Sequence, residues 1–97
     1  MRVLKRKTLL DYWKKNPESK KHLEIWFSIL NKESFNSPNE IKQIFGSADF
    51  IGENIAIFNI AGNKYRLIAR IRYDIQITYI RFIGTHAEYD KLDLTKL

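Results

Sequence analysis

The spacing of apolar residues in the first half of the chain predicts helices. In PESKKHLEIWFSILNKE, apolar residues recur at intervals of three and four from Leu23 to Leu30, which places them on one helical face. The preceding segment TLLDYWKK has a similar period. Asn16-Pro17 separates the two, because a residue before proline avoids the helical conformation. Two amphipathic helices in succession are therefore predicted.

Shorter elements flank these two helices. MRVLK at the N-terminus predicts a short strand with Val3 facing inward. NSPNEIKQIFG predicts a third helix, because Ser37 stands as a capping residue before a proline in the first turn. The following SADFIGE is expected to be a connecting loop.

In the second half of the chain the period changes from helical to strand-like. The β-rich segments are NIAIFNI, KYRLIARIRY and ITYIRFI, and only AGN and DIQ separate them. Connections this short predict antiparallel hairpins.

The chain is expected to close with a short helix in THAEYDKLDL, capped by Thr85. The predicted fold is therefore α+β, with two or three helices packed on one face of an antiparallel sheet. We predict a single domain over residues 1–97, because this length supports one modest core.

The other face of the sheet is expected to stay open. In KYRLIARIRY, Leu67, Ala69 and Ile71 alternate onto the helix-covered side. The alternate positions put three arginines on one face, where their mutual repulsion favours an anionic partner. These open-face residues are Arg66, Ile68, Arg70 and Arg72.

The next strand can add an aromatic ring to the same face. Tyr79 and Arg81 share one parity, and if that parity is the open one, the face suits both phosphate contacts and base stacking. Arg70 and Arg72 have an alternative, pairing with an acid such as Asp74, and we expect this for one of them.

Charge supports an anionic partner without identifying it. The formal net charge is +6, and the positive excess lies in residues 1–22 and 60–86. A clustered basic balance is typical of nucleic-acid binding, although a lysine-rich surface can also simply keep a small protein in solution.

The composition also excludes some classes of function. The chain has no cysteine, so disulfides and thiol chemistry are excluded. The two histidines form no metal-ligand pattern, and neither metal nor cofactor is predicted. No apolar run is long enough to span a membrane and no signal peptide is evident, so a cytoplasmic protein is expected.

Two segments of the chain resemble a known family. FNIAGNKYRLIARIRY, and GTHAEYDKL after the next strand, are similar to the HigB-type toxins of bacterial toxin–antitoxin pairs, in the RelE-like superfamily of ribosome-dependent mRNA interferases. The resemblance covers most of the chain, and its specific part is residues 58–91. It implies a RelE-like fold and cleavage of mRNA on the ribosome without a metal, by attack of the RNA 2′-hydroxyl on the adjacent phosphate.

The resemblance suggests Arg66, His86 and Tyr89 as catalytic residues. Arg66 matches the arginine of the superfamily's YRL strand, where a guanidinium fork can grip two phosphate oxygens. The imidazole of His86 is suited to proton transfer near neutral pH. Tyr89, three residues on, matches a C-terminal tyrosine that stacks on a base or assists a proton. Which group acts as acid and which as base is left open, and Asp90 could orient His86 or simply be a surface residue.

The remaining candidates belong to the basic surface around this site. His22 is expected to be surface, and Asn59 and Asn63 to serve the hairpin between their strands. The residues expected to bind RNA are Lys64, Arg70, Arg72, Tyr79 and Arg81.

The resemblance further implies three partners: mRNA, the ribosome, and a cognate antitoxin of the HigA kind with a helix-turn-helix. The chain shows no helix-turn-helix of its own, so DNA contact is expected only through the antitoxin. No membrane partner is predicted. The basic segment RVLKRK faces ribosomal RNA or is a solvated surface.

The residues leave two other functions open. The first is a non-catalytic RNA-binding module that uses the same arginine face. The second is an inactivated relative that acts only through protein partners. Loss of turnover with retained binding, on substitution of Arg66, His86 or Tyr89, would distinguish an enzyme from a binding module.

Overall fold

Helices and strands follow one another largely in the predicted order. The computed structural model describes residues 1–52 and 54–96. The α-helices are α1 (Lys7–Lys15), α2 (Lys20–Lys32), α3 (Pro38–Ile44) and α4 (His86–Asp90), with 3₁₀ turns at Pro17–Ser19 and Leu94–Lys96. The strands are β1 (Arg2–Leu4), β2 (Asp49–Ile51), β3 (Ile55–Ile60), β4 (Tyr65–Arg72) and β5 (Ile77–Thr85). None of the described helices is long and apolar enough to cross a membrane.

The strands form one sheet in the order β1-β5-β4-β3-β2. The α+β prediction is confirmed, but two details differ from it. First, β1 pairs parallel to β5, so the sheet is mixed rather than antiparallel. Second, Asp49–Ile51, within the segment predicted as a loop, forms the edge strand β2 against β3. A three-residue edge strand has too few positions to show an alternating pattern.

The main core lies between the helices and one face of the sheet. Trp26 of α2 packs edge-on against Phe58 of β3, with ring centroids 5.4 Å apart, and Phe45 packs on the same ring at 5.1 Å. Leu67, Ala69 and Ile71 of β4 are fully buried on this side, as their alternation predicts. This packing fixes which face of β4 the helices cover, and therefore which face its arginines occupy.

Tyr12 of α1 joins this core beside the hairpin between β3 and β4. Its ring lies edge-on to that of Tyr65 at 5.9 Å, and its hydroxyl is buried without a hydrogen-bond partner among the described residues. Burial, together with the negative charge of Glu88 and the nearby Tyr65, raises the pKa of Tyr12 from 10.0 to about 12.

We expect Tyr12 to make the protein sensitive to alkali. Because its pKa is higher in the folded chain, the unfolded chain ionises first, and stability falls as the pH rises from about 10 to about 12. Tyr12→Phe should remove the contribution of Tyr12 to this slope, worth at most about 3 kcal/mol. Urea denaturation of both proteins from pH 8 to 12 measures the difference. If the stabilities of the two proteins change in parallel over this pH range, Tyr12 is not the source of the sensitivity.

Candidate active site

Arg66 is the second residue of β4 and lies on the open face of the sheet. Its Cα is paired with Asn59 of β3 on one side and with Gly84 of β5 on the other. The side chain is half-buried, and no carboxylate of the described residues pairs with it. Its Nε atom is buried and has no hydrogen-bond partner among the described residues. No other group among the described residues therefore competes with an external anion for the guanidinium group of Arg66.

Tyr89 of α4 stacks on this guanidinium group. The Cζ of Arg66 lies 4.6 Å from the centre of the Tyr89 ring, a distance typical of a cation–π contact. Both residues were predicted from the sequence, but no pattern in it indicates that they touch. The contact places the positive charge of Arg66 over the face of the Tyr89 ring.

The geometry at the start of α4 explains why Tyr89 reaches Arg66. Thr85, the last residue of β5, accepts a hydrogen bond from the backbone N–H of Glu88 (3.2 Å). In return, the Glu88 carboxylate accepts one from the Thr85 backbone N–H (2.8 Å). This capping box confirms the predicted cap and starts the helix directly at the end of the strand.

His86 lies beside Tyr89 on the same helix. The two ring centroids are 6.4 Å apart, and the planes are inclined by 60°. The Nδ1 of His86 is 3.5 Å from a carboxylate oxygen of Asp90 one turn later, as the sequence reasoning suggested. With Asp90 facing Nδ1, the other ring nitrogen is available for proton transfer. Arg66, Tyr89 and His86 therefore form one cluster, with a phosphate-binding group at one end and a titratable group at the other.

Gly84 allows α4 to fold close to the sheet. A Cβ atom added there would lie 2.5 Å from Cζ of Phe82 and 3.2 Å from Cβ of Glu88. Both distances are shorter than ordinary van der Waals contact, so Phe82 and α4 would have to shift. The residue of β5 that is paired with Arg66 must therefore be small.

We predict that Gly84→Ala destabilises the fold by about 1–3 kcal/mol, the usual cost of overpacking. It should also slow any reaction at the cluster, because α4 carries both His86 and Tyr89. Gly46→Ala is the matched control, because nothing lies within 4 Å of its added Cβ. Urea denaturation of the two variants measures the difference. Equal stabilities would show that α4 does not need this close approach.

A second group of candidates lies farther along the open face. Arg70 is exposed and lies directly opposite Tyr79 of β5, whose ring is half-buried. Arg66 and Arg70 are four residues apart, about 13 Å along a strand. The structure therefore places an arginine beside an aromatic residue, as predicted, but away from the Arg66 cluster.

Arg72 is held by an acid, as we expected for one of the two arginines. Its Nε and Nη2 donate to the two carboxylate oxygens of Asp74, at 3.1 and 2.8 Å. These hydrogen bonds raise the pKa of Arg72 and lower that of Asp74. The edge of Arg72 formed by Nε and Nη2 is thereby occupied before any ligand arrives.

Arg81 and Lys64 lie outside both groups. Pairing between β4 and β5 passes from Ile80 to Phe82 and skips Arg81, which is exposed at this bulge. Lys64, in the hairpin before β4, is exposed and forms an ion pair with Glu18 near the start of α2. That contact raises the pKa of Lys64. Neither side chain forms an ion pair, a hydrogen bond or a cation–π contact with Arg66, Tyr89 or His86.

The same bulge brings Phe82 to the open face. Simple alternation gave Phe82 the opposite parity to Tyr79, but the skipped residue places both on one side of the sheet. Phe82 lies opposite Ile68, which lies opposite Ile57, and both isoleucines are buried. A small apolar cluster, with both of its isoleucines buried, thus lies between Arg66 and Arg70 on this side of the sheet, and no sequence signal marked the bulge that creates it.

Comparisons with known proteins agree with this geometry. Residues 19–92 match the family of HigB toxins, described as the RelE-like toxic component of a toxin–antitoxin system. The chain is similar to the mRNA interferase toxin HigB of Escherichia coli K12, with 32% identity over 93 residues, or 93% of this chain and 88% of the relative.

Two further relatives carry a similar name. The mRNA interferase HigB of Shigella flexneri shows the same identity and coverage. That of Escherichia coli O6:H1 is 27% identical over 94 residues, covering 95% of this chain and 91% of the relative. The match extends over the strands and the helix that carry Arg66, His86 and Tyr89. The chain belongs to the HigB family of RelE-like toxins.

Proposed function

We propose that this protein is an mRNA interferase, an endoribonuclease that inhibits translation by cutting mRNA. The observation that carries the proposal is the guanidinium group of Arg66, which has no ion-pair partner among the described residues and lies over Tyr89 with His86 beside it. Family membership and the activity named in the relatives support the same function. Membership also implies an antitoxin partner.

In this proposal the nucleophile belongs to the RNA. The 2′-oxygen forms a bond to the adjacent phosphorus while the bond from phosphorus to the 5′-oxygen breaks. The 2′-hydroxyl gives up its proton and the leaving 5′-oxygen takes one up. The products are a 2′,3′-cyclic phosphate and a 5′-hydroxyl, and neither a metal ion nor water enters the step.

Arg66 would stabilise the phosphorane. Negative charge accumulates on the non-bridging oxygens as the 2′-oxygen attacks, and a guanidinium fork can donate two parallel hydrogen bonds to them. The contact with Tyr89 supports this role, because the planar group is already held and needs little reorganisation when the substrate binds.

His86 and Tyr89 would serve the two proton transfers and the positioning of a base. His86 faces Asp90 through Nδ1, which orients the ring. The exposure of both side chains favours a site that accepts a polymer rather than one that encloses a small molecule. Arg70 and Tyr79 would hold the strand farther along the sheet.

The proposal extends to where and with what the protein acts. An open site with few walls supports cleavage on the ribosome, where the mRNA is held in place by another macromolecule. An mRNA target would place the protein in the cytoplasm. The antitoxin would be a helix-turn-helix protein of the HigA kind, and DNA would be contacted only through that complex.

Primer extension on a defined mRNA tests the proposal. Purified protein is incubated with the mRNA in the presence and absence of translating ribosomes. We expect discrete cuts that require ribosomes and leave 5′-hydroxyl ends. A folded protein that binds RNA but makes no cut under either condition would favour the binding module instead.

A further inference from the structure

Tyr79 is the centre of a second cluster on the open face, at the end of the sheet far from α4. It lies opposite Arg70 on the neighbouring strand β4 and opposite Leu4 on the parallel strand β1. One row further on, Arg2 of β1 lies beside Ile77. The pairing of β1 with β5 therefore brings Arg2, from the beginning of the chain, to the same face as Tyr79.

Two of the arginines around Tyr79 are free to bind an anion. Arg2 and Arg70 are exposed, and neither pairs with a carboxylate of the described residues. The nearby Arg72 differs, since the edge of its guanidinium group formed by Nε and Nη2 is already bonded to Asp74. In the register of the sheet, the half-exposed Tyr79 thus has Arg70 directly opposite and Arg2 one row away, and both arginines are available.

We propose that Tyr79, Arg70 and Arg2 form a subsite for one nucleotide of single-stranded mRNA, separate from the nucleotides that react. This inference rests on the proposed function. The base would stack on the Tyr79 ring, and the neighbouring phosphates would contact the two arginines. An aromatic ring between cations is the arrangement that recognises an unpaired, stacked base with its charged backbone.

The spacing of the strand limits which nucleotide is bound. Arg66 and Arg70 are about 13 Å apart along β4. Stacked bases advance about 3.4 Å each, so the subsite lies at most about four nucleotides from the scissile phosphate, and fewer where the RNA is extended. The apolar cluster of Ile57, Ile68 and Phe82, in which both isoleucines are buried, lies between the two sites.

A subsite at this distance should control affinity and leave the chemical step unchanged. It cannot touch the reacting phosphorus, so its interactions are equally strong before and during the reaction. Its loss should therefore raise the protein concentration that gives half-maximal cleavage, with little effect on the rate at saturation.

Single-turnover cleavage of mRNA on programmed ribosomes, with the protein titrated in excess, measures both quantities. We expect Tyr79→Leu to raise the half-saturating concentration roughly tenfold, while Tyr79→Phe, which keeps the stacking surface, stays within about twofold. Arg70→Gln and Arg2→Gln should each raise it severalfold. Arg72→Gln is the matched control and should have the smallest effect of the three arginine substitutions.

Abasic nucleotides separate recognition of a base from a merely structural role of Tyr79. One abasic residue is placed in turn at each of the four positions on either side of the cut. With the wild type, an abasic residue at one of these positions should raise the half-saturating protein concentration about as much as Tyr79→Leu does. In the Tyr79→Leu variant, the same position should have no further effect.

The outcomes separate this inference from the proposed function. If the wild type cleaves but no abasic position depends on Tyr79, the subsite is overturned and the interferase stands. If Tyr79→Leu instead lowers the rate at saturation, its role is structural or catalytic, and the subsite is again overturned. If the wild type cleaves no mRNA at all, both fall together.

Discussion

Arg66→Ala should cleave mRNA at least about 100-fold more slowly than the wild type at saturating protein, with its fold intact. Removing one preorganised donor to a developing oxyanion typically costs that much, and here one substitution removes both arms of a fork. The protein should tolerate the change, because Arg66 makes no ion pair and its Nε has no partner among the described residues.

Arg66→Lys distinguishes geometry from charge. Lysine keeps the positive charge but loses the planar fork and its stacking on Tyr89, so we expect a loss nearly as large as that of Arg66→Ala. Arg72→Ala is the control on the same strand and face. Its side chain is already held by Asp74, and it should retain most of the activity.

The measurement is the single-turnover rate on programmed ribosomes, with circular dichroism and urea denaturation to confirm folding. A catalytic role for Arg66 would be contradicted by an Arg66→Ala variant that reaches the wild-type rate at high concentration. That result would leave Arg66 as a binding residue, and the cluster would then need another group to stabilise the phosphorane.

The sequence could predict the site near α4 because local signals define it. Alternation in β4 determines the face of Arg66, and Thr85 with Glu88 marks the beginning of α4. The family resemblance supplied the roles. What it could not supply was the 4.6 Å contact between Arg66 and Tyr89, because this depends on how closely α4 approaches the sheet at Gly84.

The far end of the open face could be predicted only in part, for two physical reasons. The pairing of β1 with β5 joins residues more than seventy positions apart, and no local pattern encodes it. The bulge at Arg81 inserts one residue, and a shift of one residue exchanges the two faces of a strand. For these reasons Arg2 and Phe82 were not recognised as residues of the open face.

Ion pairs between distant surface residues were equally hidden. Lys64 is near Arg66 in sequence, but its Nζ turns toward Glu18 near the beginning of α2. Arg72 and Asp74 are different, because they are two residues apart and the sequence reasoning considered an acid at that position. Local pairings can be anticipated from spacing, whereas pairings across elements require the packing of the fold.

His86→Gln should reduce the rate of mRNA cleavage roughly 100- to 10,000-fold, the range for loss of a general acid or base. The imidazole is half-exposed beside Tyr89, and Asp90 faces its Nδ1, so Nε2 can meet the substrate. Glutamine keeps a hydrogen-bonding side chain of similar size but cannot carry a proton between two oxygens. His22→Gln is the control, because that histidine is exposed on α2.

A modified mRNA can then identify which proton His86 transfers. Sulfur in place of the 5′-bridging oxygen at the cut makes a leaving group that needs no proton, since a thiol ionises at about pH 8–9 whereas an alcohol does so at far higher pH. If His86 is the general acid, this substrate should restore most of the rate of His86→Gln. The same substrate should not restore the cleavage rate of Tyr89→Phe or Arg66→Ala.

The alternative outcomes assign the remaining roles. If the sulfur substrate rescues Tyr89→Phe and not His86→Gln, the phenol protonates the leaving oxygen and the imidazole is left to accept the 2′-proton. If it rescues neither variant, the acid lies outside the cluster, for instance on the ribosome. Arg66 serves as the internal reference throughout, because its role is to stabilise charge on oxygens that the sulfur substitution does not alter.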